Sequence, residues 1–379
     1  MKKVLIVATV SGFVPQFEMN NVRLLKLLGC EVHYATNYNT PVYGTDNICL
    51  NETGIVRHQV DFVRSPFRIF ENIIAYSQLV RLMRSEQYDI VHCHTPMGGA
   101  LARLASIKIN KGTIFYTAHG FHFYKGSPLY HWLLFYPIEK ILARFTDVIL
   151  TINQEDFNIA EKFKYKDNGK AMFINGVGIN IKNFNIRMDS VLQKRSELSI
   201  PRDAFVITSV GELNANKNHE TVIKALKKLE HEKIIYVICG KGQRKPKLQN
   251  LCYKLKLQNK VIFLGHRIDI PEILAISDCF VFPSIREGLG MAAIEAMAAG
   301  RPIITSYNRG TKEYAEDGKT GFMCNAKDVN AFYDAINNLY RNRQLCKQFG
   351  EYNKNKVQKF NIENIEIIMK ELYTEYLNK

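Results

Sequence analysis

Short, unbroken apolar runs recur along this chain, and they constrain its fold more than any other feature. The first four runs in the chain lie at residues 4–8, 89–93, 113–117 and 147–152. Runs of this kind are typical of strands that are buried on both faces of a parallel sheet. Helix-length stretches, for example residues 68–85 and 128–145, separate the runs. The alternation predicts an α/β, doubly wound fold.

The alternation pauses between Gly176 and Pro201 and then restarts, with further apolar runs at residues 204–211, 234–238, 261–264, 279–282 and 302–305. A chain of 379 residues exceeds the size at which one core stops growing. We therefore predict one Rossmann-like domain over residues 1–184, a second over residues 185–358, and a C-terminal helix over residues 359–379 that packs back on the N-terminal domain. Two such sheets facing each other would create a central cleft, lined by loops at the carboxyl ends of the strands.

Charge and hydropathy narrow the range of partners. Lys and Arg number 51 against 36 Asp and Glu, which gives a formal net charge of +15. This excess favours an anionic partner, such as a phosphorylated ligand, a nucleic acid or an acidic membrane surface. No stretch approaches 18 consecutive apolar residues, and the start of the chain lacks a signal-peptide pattern. We expect a cytoplasmic protein.

Two glutamates, Glu287 and Glu295, bracket the start of a predicted helix. Glycines between them let the backbone approach a ligand, and a helix N-terminus attracts anions. This layout suits a nucleotide sugar: Glu287 would bind sugar hydroxyls and Glu295 the ribose, while the amides of Gly288, Leu289 and Gly290 would face the diphosphate and sugar. The alternative is that both glutamates are solvated. The small residues around Glu295 favour a packed helix and a functional role, because a buried unpaired carboxylate is costly.

The segment 283–302 resembles the E-x7-E signature of the family 4 retaining glycosyltransferases, which have the GT-B fold. Shorter matches to that family lie at residues 88–94, 117–120, 211–218, 264–265 and 318–322, so the resemblance covers nearly the whole chain. It implies two Rossmann-like domains and a nucleotide-diphosphate sugar as donor. It also implies a transfer that retains the anomeric configuration, in which the donor phosphate helps to deprotonate the acceptor hydroxyl.

The resemblance assigns roles to further residues. His119 follows a predicted strand, at the position where the family places a histidine against the donor sugar. Lys217 matches the family's diphosphate-binding lysine, and a cation there would stabilise the charge that develops on the leaving group. Together with Glu287, these two residues are the predicted catalytic set. Gly12 lies in the first βα turn, where a backbone close to donor phosphate or acceptor would require glycine.

One position departs from the family pattern. Many members place an arginine directly after the glycine that corresponds to Gly211, whereas this chain has Glu212. A carboxylate near a diphosphate is repelled, so Glu212 must turn away or be compensated. We expect Arg267 or Arg286 to supply the second cation at the donor site.

No metal or cofactor is expected. His92 and His94 form an H-x-H along a predicted strand, where both would point to one face with Cys93 opposite, and no third ligand is evident from the sequence. The chain contains no D-x-D, with which the other major glycosyltransferase fold holds a divalent cation. The resemblance thus implies a metal-independent enzyme. The dinucleotide-binding motif G-x-G-x-x-G is also absent, which argues against a dehydrogenase.

An aromatic segment, residues 121–136, bears on the nature of the acceptor. It continues into a basic amphipathic stretch with Lys140 and Arg144. Such a segment can lie at a lipid interface, and it can equally be a core helix with a solvated basic face. Further positive charge in the N-terminal half comes from Arg57, Arg64, Arg68, Arg81, Arg84 and Arg103. A polyprenyl-diphosphate-linked sugar on the inner membrane would satisfy both charge and aromatics. The chain resembles capsular and exopolysaccharide assembly enzymes, which places it at the cytoplasmic face of that membrane.

The motifs identify neither the base nor the sugar of the donor; we expect a UDP-sugar of an N-acetylated hexosamine type. Two other classes stay open: a GT-B-shaped sugar-nucleotide epimerase or phosphorylase, and a non-catalytic nucleotide-sugar binding protein. A binding protein would not need His119, Lys217, Glu287 and Glu295 to converge. No nucleic acid partner is expected.

Overall fold

The computed structural model describes residues 1–42, 47–229 and 232–379. The chain divides into two compact units. The first consists of Met1–Val177 with Glu363–Lys379, and the second of Gly178–Ile362. The predicted boundary between the two domains, after residue 184, lies inside the second unit.

The first unit contains a parallel sheet. Its strands are β1 (Lys3–Val10), β2 (Glu31–Asn37), β3 (Val56–Gln59), β4 (Ile90–His94), β5 (Thr113–Ala118), β6 (Val148–Thr151) and β7 (Lys170–Phe173). Their order across the sheet is β3-β2-β1-β4-β5-β6-β7. The direction of winding reverses between β1 and β4, and open α/β sheets bind ligands at the carboxyl ends of such strands. Buried apolar runs explain why β1, β4, β5 and β6 could be predicted. The sequence analysis missed β2, which is buried but reads Glu-Val-His-Tyr-Ala-Thr-Asn, and the short edge strands β3 and β7.

Five helices of the first unit connect these strands: α1 (Met19–Leu27), α2 (Ile69–Glu86), α3 (Pro96–Ile109), α4 (Leu129–Ala143) and α5 (Gln154–Ala160). A π-helical turn, Val14–Glu18, leads from β1 into α1. One face of the sheet packs against residues of α2, α3 and α4, including Leu79, Ala102 and Ala143.

Arg103 corrects one expectation about the basic surface. Its side chain is wholly buried, so it adds nothing to the exposed positive charge. The guanidinium forms an ion pair with Glu139 at 2.8 Å and lies 3.9 Å from the centroid of the Tyr116 ring. It joins α3 to α4 inside the unit, because a buried charge needs a partner.

The helices α2, α3 and α4, with the residues just before α2, expose many large apolar side chains beside polar ones such as Arg81 and Lys140. We call this surface the apolar face; its exposed large residues are Phe67, Ile69, Phe70, Ile73, Ile74, Leu104, Ile107, Leu129, Tyr130, Leu133, Leu134, Ile138 and Ile141. The inner aromatics of the same segment, Phe121, Phe123 and Trp132, pack in the core. The helix α4 thus exposes apolar side chains together with Lys140, opposite a packed inner side.

The second unit repeats the architecture. Its strands are β8 (Phe205–Val210), β9 (Ile234–Cys239), β10 (Val261–Gly265), β11 (Cys279–Phe282), β12 (Ile303–Ser306) and β13 (Gly321–Cys324). They form a parallel sheet in the order β10-β9-β8-β11-β12-β13, with its switch point between β8 and β11. Its helices are α6 (Met188–Glu197), α7 (His219–Lys227), α8 (Lys245–Lys254), α9 (Ile270–Ala275), α10 (Met291–Ala298), α11 (Val329–Arg341) and α12 (Arg343–Lys356). The two sheets confirm the predicted doubly wound α/β class.

The last helix, α13 (Ile362–Leu377), packs on the sheet of the first unit. The rings of Tyr373 and Tyr376 lie 5.9 and 5.1 Å from the ring of Phe115 on β5. No helix in the described ranges has the length and apolarity needed to cross a membrane.

Candidate active site

The switch point of the second sheet brings two loops together. β8 and β11 are hydrogen-bonded neighbours, and the loops that follow them contain Lys217 and Glu287. Asn216 joins these loops: its carbonyl accepts from the amide of Ile285 at 2.8 Å, its side-chain oxygen accepts from the amide of Arg286 at 3.1 Å, and its side-chain amide donates to the carbonyl of Arg286 at 2.8 Å. The loops therefore hold a fixed register to each other.

Lys217 and Glu287 meet at the centre of this arrangement. The Lys217 Nζ lies 2.6 Å from Glu287 Oε1 and 4.8 Å from the centroid of the Phe282 ring. The side chains are only 20% and 11% exposed, so solvent screens the pair weakly. Two predicted catalytic residues, 70 positions apart in the chain, thus form an ion pair.

The turn between Glu287 and α10 depends on glycine. Gly290 precedes the helix with φ of +94°, a left-handed conformation that other residues adopt at a cost. A Cβ at this position would lie 2.7 Å from the Phe282 ring and 2.9 Å from the Tyr314 hydroxyl. Leu289 is buried beneath the turn. The chain therefore enters α10 by a close path that brings Gly288 and the first amides of the helix beside Glu287.

Glu295 lies one turn into α10 and is half-buried. Within the described residues its carboxylate has no hydrogen-bond or ion-pair partner. Desolvation raises its pKa to about 7. An unpartnered carboxylate of this kind is suited to accept hydrogen bonds from ligand hydroxyls.

Glu212 departs from the family pattern, and Arg267 and Arg286 are the cations predicted to compensate for it. The three side chains have different surroundings. Glu212 is exposed, and its carboxylate accepts a hydrogen bond from the Asn214 side chain at 3.0 Å. Arg267 is already bound to a carboxylate, since its Nε donates to Asp269 Oδ1 at 2.7 Å. Arg286 lies next to Glu287 and is half-buried. Of the two predicted cations, Arg286 is the one whose backbone belongs to the joined loops.

In the first unit, His119 belongs to a group that the sequence did not reveal. Its Nε2 lies 3.2 Å from His94 Nδ1 and 4.0 Å from Glu18 Oε1. Glu18 Oε1 and His94 Nδ1 are 3.5 Å apart, and both side chains are buried. The group lies at the switch point: Glu18 ends the turn after β1, His94 ends β4, and His119 follows β5. Gly12 is buried at the beginning of the same turn, and its carbonyl accepts from the amide of Gln16 at 3.3 Å.

Burial changes the protonation of this group. It lowers the pKa of His119 to about 4 and raises the pKa of Glu18 to about 8. His119 is therefore a neutral imidazole near pH 7. Its edge-to-face contact with Phe13, at 5.0 Å between centroids, fixes the orientation of the ring.

His92 and His94 lie on one face of β4 as predicted, with ring centroids 4.3 Å apart. Both nitrogens of His92 are engaged, Nδ1 with the Tyr373 hydroxyl and Nε2 with the Thr117 hydroxyl, each at 2.7 Å. His92 is thus a structural residue. The sequence showed no third ligand group beside His94; the fold brings Glu18 and His119 to it.

Comparison with known proteins shows the family to which this chain belongs. Residues 3–153 match the family described as glycosyl transferase 4-like, and residues 191–356 match the glycosyl transferases group 1. EpsD of Bacillus subtilis (strain 168), which carries the name of a glycosyltransferase, is 36% identical over 382 residues, covering 100% of this chain and 97% of EpsD.

Two further likenesses extend over most of the chain. The UDP-Gal:alpha-D-GlcNAc-diphosphoundecaprenol alpha-1,3-galactosyltransferase of Escherichia coli is 30% identical over 302 residues, 78% of each protein. The crystal structure of HepE from Anabaena in complex with UDP-glucose has a TM-score of 0.80 at 18% identity, covering 99% of this chain and 100% of HepE, and it shows the shared GT-B fold. This chain is a glycosyltransferase of the GT4 type.

Proposed function

We propose that the protein transfers a sugar from a UDP-sugar to a lipid-linked saccharide during capsular or exopolysaccharide synthesis. The observation that carries the proposal is the contact of Lys217 with Glu287 at the switch point of the second sheet, beside the glycine turn that leads to Glu295. These residues offer a cation, two carboxylates and helix N-terminal amides within one loop region. A nucleotide-diphosphate sugar needs each of these groups.

The donor residues divide the ligand between them. Glu295 accepts hydrogen bonds from the ribose, and Lys217 binds the diphosphate. Without donor, Lys217 and Glu287 neutralise each other at 2.6 Å. A bound diphosphate competes for Lys217, and the carboxylate oxygen thus released becomes available to the sugar hydroxyls. Donor binding therefore orders Glu287 for its role.

Uracil is the proposed base. Support comes from the relatives: the E. coli protein's name contains UDP-Gal, and HepE was crystallised with UDP and UDP-glucose. The transfer retains the anomeric configuration, as the family resemblance implies. Lys217 supplies positive charge to the leaving diphosphate, so the transfer step needs no metal. The family resemblance assigns the contact with the donor sugar to His119, whose buried imidazole is neutral near pH 7.

The acceptor is proposed to be a sugar on a polyprenyl diphosphate. The name of the E. coli relative contains such an acceptor, GlcNAc-diphosphoundecaprenol. The apolar face fits the same proposal, since an exposed apolar surface of this extent marks an interaction site. Exposed basic residues flank it, among them Arg64, Arg68, Arg81, Lys140 and Arg144. Apolar side chains beside basic ones suit an anionic bilayer surface.

Ligand stabilisation tests the donor. UDP, GDP, ADP and their sugar conjugates are compared by thermal unfolding, where a ligand at 100 times its dissociation constant adds about 2.7 kcal/mol. We expect selective stabilisation by UDP and one UDP-sugar. Product analysis with and without a polyprenyl-diphosphate sugar then separates transfer from epimerisation. Product formed equally without acceptor would favour the epimerase, and binding without turnover on a broad acceptor panel would favour a binding protein.

Liposome flotation tests the membrane surface. Leu133→Glu, at a 70% exposed position of the apolar face, is expected to reduce binding to vesicles containing phosphatidylglycerol. The matched control is Ile268→Glu, at a 92% exposed apolar position of the second unit, which should bind as the wild type does. Equal flotation of both variants would remove the apolar face from the proposal.

A further inference from the structure

Glu18, His94 and His119 bring three possible metal-ligand atoms within 4.8 Å of one another, and the two imidazoles are also hydrogen-bonded to each other. The separations are 3.2 Å between His94 Nδ1 and His119 Nε2, 3.5 Å between Glu18 Oε1 and His94 Nδ1, and 4.0 Å between Glu18 Oε1 and His119 Nε2. Ligand atoms that share a tetrahedral zinc ion at about 2.0–2.1 Å are separated by roughly 3.3–3.4 Å. The first two separations lie close to that value, and the third exceeds it by about 0.6 Å, a difference that side-chain rotation can close.

The surroundings of Glu18 also suit a cation. Its side chain is only 2% exposed. In the part of the chain that the structure describes, no lysine or arginine pairs with it; its other carboxylate oxygen, Oε2, accepts a hydrogen bond from the Asn21 amide at 2.6 Å. An ionised carboxylate is unfavourable at so buried a position unless a cation lies beside it, and a divalent ion would supply that cation. Asn21 would then orient the carboxylate as an outer partner of the ligand.

The ligand types narrow the choice of ion. Two imidazole nitrogens and one carboxylate oxygen suit zinc, cobalt and related transition metals, whereas magnesium and calcium prefer oxygen ligands alone. Three protein ligands leave a fourth position open in tetrahedral zinc sites. His119 is the more accessible member, at 23% exposed against 2% for Glu18 and 0% for His94, so an ion can enter from its side.

We propose that Glu18, His94 and His119 form a binding site for one zinc-class divalent ion, and that occupation of this site inhibits the enzyme by removing the His119 nitrogen from the transfer step. The inhibitory part rests on the function proposed above. The binding part stands on the geometry of the group alone.

Direct binding tests the site on the full-length protein, which is first treated with a chelator. Isothermal titration with zinc and the visible absorption of bound cobalt should each give one ion per chain. Glu18→Gln and His94→Gln should weaken binding by on the order of 100-fold or more, with circular dichroism showing that each variant is folded. Glu18→Gln keeps the shape of the side chain and an oxygen for Asn21, so it is expected to fold.

A second histidine cluster in the same unit provides the control. His33 Nδ1 and His58 Nε2 are 2.8 Å apart, but the other nitrogen of His33 is bound to Glu31, so these groups do not converge on an ion. His58→Gln should bind zinc as the wild type does. A wild-type protein that binds no zinc, or a loss of binding in His58→Gln but not in Glu18→Gln, would overturn the site.

Transfer assays test the inhibition. Zinc should lower the rate of the wild type by at least 10-fold, with recovery on chelation, whereas the rate of Glu18→Gln, compared with its own metal-free rate, should change less than twofold. Stoichiometric binding without a change in rate would overturn the inhibitory part. Zinc binding in a protein that transfers no sugar would contradict the proposed function and leave the metal site in place.

Discussion

At the scale of single residues, Glu295 couples the donor site to the stability of the second unit. Its pKa is raised from 4.5 to about 7 by desolvation, so the folded protein holds the proton more tightly than the unfolded chain. The corresponding stability is fully present below pH 4.5 and is lost as the pH rises through 7. The stability of Glu295→Gln should not fall in this way as the pH rises. Its free energy of unfolding relative to the wild type should therefore be roughly 1–3 kcal/mol higher at pH 8 than at pH 4.

Urea unfolding at the two pH values measures the effect, with the exposed Glu212→Gln as control. UDP binding by Glu295→Gln should fall at least 10-fold, because the ribose loses a charged acceptor. A variant that keeps both the pH dependence of stability and its UDP affinity would contradict the role of Glu295.

Lys217 separates the diphosphate from the nucleoside. Lys217→Ala should weaken UDP binding by about 10-fold or more and leave uridine binding within twofold, because the lysine is proposed to contact only the phosphates. Lys224→Ala removes an exposed lysine paired with Glu220 and serves as the control. Calorimetric titrations of both ligands decide the matter, and equal losses for UDP and uridine would show that Lys217 supports the site only structurally.

Residue patterns in the sequence predicted the donor loop better than the cluster in the first unit. Glu287 and Glu295 could be identified because their spacing and the glycines between them belong to one continuous segment. Glu18 could not, because its burial arises from a π-helical turn and from two strands that follow it much later in the chain. Its one signal was that it is the only carboxylate among residues 11–30, in a mostly apolar stretch directly after β1. Arg103 was misjudged for a similar reason, since its partner Glu139 lies on another helix.

At the scale of secondary-structure elements, the glycine turn before α10 controls the position of Glu287. Gly290→Ala should destabilise the protein by roughly 1–2 kcal/mol through its left-handed φ, and further through contact with Phe282 and Tyr314. Gly318→Ala is a matched control, because Gly318 has φ of +73° and open space around its Cβ position. Chemical denaturation should rank Gly290→Ala as clearly more destabilised; equal losses would mean that the close contacts are relieved at no cost.

Strand prediction succeeded where a continuous apolar run marks the strand, including the edge strand β10, and failed where no such run exists. The strand β2 is buried but reads Glu-Val-His-Tyr-Ala-Thr-Asn, and β3 reads Val-Arg-His-Gln and is mostly exposed. The strand β13 is short and begins at Gly321, so no continuous apolar run predicted it. Edge strands obtain their structure from pairing with a neighbour, which a local pattern does not record.

At the scale of the whole molecule, the first unit is completed by the last helix of the chain. Tyr373 on α13 binds His92, and its ring stacks on Phe115. Truncation after Ile362 should expose this side of the sheet and make the first unit sensitive to limited proteolysis, whereas removal of residues 378–379 should have no effect. Mass spectrometry of the fragments provides the measurement. An unchanged fragment pattern in the longer truncation would show that α13 contributes little to the stability of the unit.

The central claim is that Glu287 acts on the sugar of the donor during transfer. The most direct measurement compares the turnover of Glu287→Gln with that of the wild type on the preferred UDP-sugar and a polyprenyl-diphosphate acceptor. We predict that kcat falls by on the order of 100-fold, the magnitude seen when a transition-state contact is lost, while UDP binds at least as tightly as to the wild type, because the variant has no carboxylate that competes for Lys217. A variant with wild-type turnover would contradict the account.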